Sequence, residues 1–201
     1  MDNLFFNFSI PFIKKLDDGK TIKLVFKIFF WVLGCLCLLG GLASFILFFT
    51  NLGDLGGGAI VGGFLVTLGL VFAMWISFQI LFYRAKSIDK ISTGSFVVSQ
   101  IVSIYFKVVG EILAVMITSV GVTTGLASLF AGRELARVAG AGSFVDMGVS
   151  AIITAPIFAF LIITLFYLLS ETILCLPAIA KNSKNIARKL EADKDDSEDQ
   201  G

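Results

Sequence analysis

Four long runs carry no Asp, Glu, Lys or Arg: residues 28–50, 55–83, 112–132 and 147–170. Crossing the hydrocarbon core of a bilayer as a helix takes about 20 apolar residues. Each run meets that length. Backbone in lipid has no water to bond to, so it must satisfy its own N–H and C=O groups, and these runs are expected to be helices. Composition points the same way. Of the 201 residues 57% are hydrophobic and 15% charged, whereas a soluble domain averages about a quarter charged. The first run is too long for a cleaved signal peptide, and no small-residue cleavage site follows it.

The expected fold is therefore all-α, an integral membrane four-helix bundle. With their flanks the spans cover about 24–50, 55–84, 96–131 and 147–180, inside a transmembrane domain of residues 24–180. Residues 1–23, aromatic and then basic, are expected to lie at the membrane interface. Residues 181–201, basic and then acidic, read as a disordered tail.

Orientation follows from the basic residues. Lys14, Lys15, Lys20, Lys23 and Lys27 precede the first span; Arg84, Lys86 and Lys90 join spans two and three; Lys181, Lys184, Arg188, Lys189 and Lys194 follow the fourth. The other two links hold only Arg133 and Arg137. The positive-inside rule then puts both termini and the middle link in the cytoplasm. The outer link reads as a connector with a short surface helix over residues 133–138.

In lipid, helices gain little from setting Leu against Leu and associate where small residues let backbones approach. Each span carries such a line: Gly34, Cys37, Gly41 and Ser44; Gly58, Gly62, Gly69 and Ala73; Ala114, Thr118, Gly121, Gly125 and Ser128; Ala151, Ala155 and Ala159. These seams suit a compact bundle, and one left over would suit a homo-oligomer. GLAS occurs at 41–44 and again at 125–128. Aligning the two sets Gly34 on Thr118, Lys23 on Lys107 and Lys27 on Glu111. Two pseudo-repeated hairpins are one reading of these short, apolar matches.

Lys107, Glu111 and Glu171 are the ionisable residues in or beside the spans. Residues 112–132 cover about 31 Å above Glu111, and residues 147–170 roughly 36 Å before Glu171, so both glutamates fall near the inner boundary. Apolar sequence continues on the cytoplasmic side of each, which predicts that helices two to four run past the membrane there. Pro177 is a point where the fourth helix would kink or end. Glu111 continues the seam of span three, so it should face another helix. Lys107, Glu111, Glu171, Gln79 and Arg84 are the candidate polar cluster, with Tyr167 and Thr164 on the face of Glu171. The plain reading pairs Lys107 with Glu111 at i,i+4, and Glu171 with Arg84 or Lys107, as helix cohesion. The functional readings are a proton- or cation-responsive site and a lipid-headgroup or partner-docking site.

Several function classes fall away. The chain has no histidine and a net charge of +1, which lowers the case for metal sites, hydrolytic triads and nucleic-acid binding. Cys35 and Cys37 point to different helix faces and Cys175 stands alone, so they read as small buried hydrophobes. The glycine-rich GDLGGGAIVGG at 53–63 lacks the Lys-Ser/Thr of a phosphate loop. No enzyme, metal or cofactor is expected.

LFFNFSIPFIKKL, then TIKLVFKIFFWVLG, a glycine-rich turn and a second span closing on ILFYRAKSI together cover residues 4–90. This half resembles a family of uncharacterised bacterial two-span membrane proteins, matched at Phe6, Phe8, Ser9, Lys23, Phe82 and Arg84. The resemblance implies a bacterial inner-membrane hairpin and brings no catalytic residue. The chain departs from that family by adding two further spans. The leading expectation is a non-enzymatic inner-membrane subunit, a scaffold or a stress or phage-defence type of sensor. It would oligomerise and act with a cytoplasmic protein partner. The alternative is a small ion or proton channel or transporter using Glu111, Glu171 and Lys107.

Overall fold

A computed structural model describes residues 19–54, 56–91, 96–131 and 148–198. It contains four long α-helices, α1 (Lys20–Thr50), α2 (Gly57–Asp89), α3 (Val97–Ala131) and α4 (Ala151–Glu198), with 3-10 turns at Leu52–Asp54 and Gly148–Ser150. All four are long and apolar enough to cross a membrane. The expected interfacial segment lies outside the described residues up to 18, as does the expected surface helix at 133–138.

Helix ends follow local chemistry. Gly19, in the left-handed region at φ 68°, packs so close to Val97 that a methyl group there would meet its Cγ1 at 2.9 Å. Only glycine adopts that backbone cheaply. Asn51 closes α1: its backbone N–H donates to the Phe48 carbonyl and its side-chain amide to the Leu47 carbonyl at 2.6 Å.

Two boundaries correct the sequence reading. α1 begins at Lys20, so residues 20–23 belong to the helix. α4 passes through Pro177 and continues to Glu198, where a disordered tail was expected from 181. Proline removes one helical hydrogen bond, but the residues that follow are mostly strong helix formers, and no glycine interrupts them before Glu198.

Consecutive helices pack antiparallel. Gly34 meets Phe78 and Gly41 meets Met74 across α1–α2; Gly58 meets Phe130 and Gly69 meets Thr123 across α2–α3; Gly125 meets Ile152 and Gly110 meets Phe166 across α3–α4. Extensive packing joins α1 to α2, α2 to α3 and α3 to α4, while α1 touches α3 only at a small contact. The bundle is thus an open row, with α1 and α4 at its edges. Its main core, Phe30, Leu81, Ala85, Ile88 and Val108, gathers where α1, α2 and α3 converge. Outward faces are apolar: Leu47, Trp75, Phe160 and Leu168 are at least half exposed. Contiguous apolar surface on this scale suits lipid.

Antiparallel packing brings the start of α1, the end of α2, the start of α3 and the later part of α4 to one end of the row. That end holds the basic residues. Lys27 pairs with Asp89 at 2.7 Å, and the Lys23 ammonium donates to the carbonyl of Ile91.

Candidate functional site

Arg84, Lys107, Glu111 and Tyr167 meet at this basic end, supplied by three helices. Arg84 extends from α2 toward α3. Its Nε donates to Glu111 Oε2 at 3.1 Å, and its Nη2 donates to Glu111 Oε1. Tyr167, on α4, donates its hydroxyl hydrogen to Glu111 Oε1 at 2.5 Å and receives a bond from Arg84 Nη2 at 3.1 Å. The planar guanidinium offers its donors in a fork that matches a carboxylate, which is why arginine suits this position. Arg84 and Glu111 side chains are 19% and 14% exposed, so the pair is largely shielded. Lys107 stands one turn from Glu111, with its Nζ 5.3 Å from the centre of the Tyr167 ring. That is within cation–π range.

The node differs from the expected cluster in two ways. Lys107 and Glu111 do not pair, because Arg84 and Tyr167 occupy both carboxylate oxygens and the ring attracts the ammonium. Gln79 and Glu171 do not join: both are exposed. Gln79 falls on the outward face of α2 with Trp75 and Tyr83, which are 52% and 65% exposed. Glu171 lies one residue past the buried Ser170, about 100° around the helix.

Ser170 itself was missed. Its hydroxyl bonds to that of Ser103 on α3 at 2.6 Å, and both residues are buried. A signal existed. The stripe Ala151, Ala155 and Ala159 is buried throughout, and three turns further along the same face comes Ser170, not Glu171. Gly110 was missed too: a methyl there would sit 2.5 Å from Phe166 Cβ. It lies three turns before Gly121 on α3.

The predicted packing glycines all face helix contacts. Gly62 and Gly121 are buried. A methyl at Gly34 would meet the Phe78 ring at 3.2 Å, at Gly41 Met74 Cβ at 3.3 Å, and at Gly125 Ile152 Cγ1 at 2.8 Å. At Gly58 it would strike the Phe130 carbonyl oxygen, and at Gly69 the Thr123 side chain. These glycines are spent inside the chain, helix against helix, whereas Ala114 and Thr118 of the α3 seam line an open groove. The fully buried Thr124 Oγ1 has no hydrogen-bond partner among the described residues.

Chemically, the node is an ion pair reinforced by a phenol hydrogen bond, with one further cation over an aromatic face. Glu111 accepts three bonds on two oxygens, an arrangement that holds a charge in place and leaves little freedom to shuttle protons. No protein-family model matches the chain, and no curated protein or solved structure matches it either. The class that fold and composition define is a multi-pass helical membrane protein.

Proposed function

We propose that the protein is a non-enzymatic subunit of a bacterial inner membrane, with both termini and the link between α2 and α3 on the cytoplasmic side. It serves as a scaffold or sensor that acts with a cytoplasmic protein partner, as a homo-oligomer. The observation that carries this reading is the length of α4. Its 48 residues extend about 72 Å, more than twice the hydrocarbon thickness. Residues 181–189 are exposed without interruption. That stretch carries Lys181, Lys184, Arg188 and Lys189 beside Ile186, which is 60% exposed. A long helix projecting from a membrane domain with mixed basic and apolar surface is suited to docking a soluble protein. The packed node beneath it gives the projection a rigid base.

The test is affinity purification from detergent, comparing the full chain with one ending at residue 180, together with hydrodynamic size. Recovery of a cytoplasmic protein by the full chain only, in a particle larger than one chain, is the expected result. A monomer without a partner overturns the reading. An ion or proton path has less support, since Glu111 is held by Arg84 and Tyr167 while Gln79 and Glu171 face outward. Flux into liposomes that disappears in Glu111→Gln would restore it.

A further inference from the structure

An open groove of about 340 Å³ runs along α3 between α2 and α4. Phe72, Ile76 and Ile80 of α2 form one wall and Ile163 of α4 part of the other. Its floor is small, with Ala114 and Thr118, and it ends on Glu111. One helical turn past this end lies the polar node. Arg84 follows Ile80 by four residues, Tyr167 follows Ile163 by four, and Lys107 precedes Glu111 by four. Because the helices alternate in direction, all three steps lead the same way, toward the basic end.

The node holds two cations, Arg84 and Lys107, against one carboxylate. Arg84 is matched to Glu111. Lys107 has no carboxylate partner among the described residues, and its ammonium rests on the Tyr167 ring. An apolar channel thus terminates in a layer with one positive charge in excess. Residues 112–132 already cover a full hydrocarbon core, so Lys107 lies about 7 Å beyond its edge, at headgroup depth.

We propose that the groove and this layer form a site for an anionic phospholipid, with an acyl chain along Ala114 and Thr118 and the phosphate at Lys107. A zwitterionic lipid brings its own cation beside the phosphate and would leave the layer net positive, a second copy's apolar helix would leave Lys107 unmatched, and a soluble anion would make no use of the groove. The site depends on the chain lying in lipid but not on any protein partner, so failure to recover a partner leaves it standing.

The experiment is native mass spectrometry of the full-length protein with phosphatidylglycerol or phosphatidylcholine of identical acyl chains. One phosphatidylglycerol per chain is expected to be retained in preference. Lys107→Gln should lower that preference about fivefold, the effect of one cation near an anionic headgroup. Ala114→Phe, which fills the floor, should lower retention of both lipids. If that variant fails to fold, Ser119→Leu at the same groove gives the reading. Lys20→Gln, at the exposed start of α1 and outside the groove lining, should change neither. A phosphatidylglycerol preference that survives Lys107→Gln overturns the proposal, as does an equal loss in Lys20→Gln. Chain-to-chain disulfide formation through Thr118→Cys would mean that a second copy fills the groove, and would overturn it too.

Discussion

Arg84 on α2 grips Glu111 on α3 through both carboxylate oxygens, across 27 residues of sequence. The pair ties the two central helices together, and most of its surface is hidden. Breaking a shielded pair from one side strands the other charge. Arg84→Ala and Glu111→Ala are each expected to cost about 3–5 kcal/mol in unfolding from detergent. The double variant should cost less than the sum. Equal additivity in that cycle would show that the two residues do not act together. Glu171→Gln and Gln79→Leu should fall within about 0.5 kcal/mol, as exposed substitutions do.

Tyr167 has two roles that separate cleanly. Tyr167→Phe removes the hydroxyl bonded to Glu111 but keeps the ring beneath Lys107. A loss of about 1.5–3 kcal/mol is expected for a hydrogen bond to a charged group. Tyr167→Leu should cost more, since it also removes the cation–π contact. Thermal unfolding of the two variants side by side measures the difference, and identical melting would remove the ring from the account.

Ser103 and Ser170 share one buried hydrogen bond of 2.6 Å. Either serine changed to alanine leaves the other hydroxyl without its partner, at about 1–3 kcal/mol. Changing both should restore part of that loss. Thr124→Val tests the opposite case. It removes a buried hydroxyl that bonds to nothing described, and stability should rise by about 1 kcal/mol. A loss of that size would indicate a hidden partner.

Glycine positions differ by their surroundings. Gly69→Ala pushes a methyl into Thr123 and should cost about 1–3 kcal/mol through overpacking. Gly57→Ala opens onto empty space at the start of α2 and should gain about 0.5 kcal/mol from helix propensity. Circular dichroism melts of the two variants give the comparison, and a sign reversal at either position would contradict the packing described.

Orientation has its own measurement. A periplasm-dependent reporter fused after residue 90 should be inactive, and one fused near residue 140 active, because most Lys and Arg residues lie before α1, around the α2–α3 link and late in α4, whereas the link after α3 holds only Arg133 and Arg137. Activity after residue 90 would invert the proposed topology.

The chain alone determined the helices and their seams. A run of 20 or more uncharged apolar residues has one stable backbone solution in lipid, and the small residues at three- and four-step spacing mark where another helix can approach. Those two rules located α1 to α4 within a few residues at most ends. They also identified glycines such as Gly58, Gly69 and Gly125 as contact points. The far end of α4 escaped them, because a charged, polar stretch fits a solvated helix and a disordered tail equally well. What only the tertiary structure decided is who pairs with whom. Lys107 and Glu111 satisfy the i,i+4 rule, yet a guanidinium from α2 and a phenol from α4 offer Glu111 better geometry than its own helix can. Helical spacing states which residues share a face, and the partner on the facing helix depends on rotation and register that no single helix encodes.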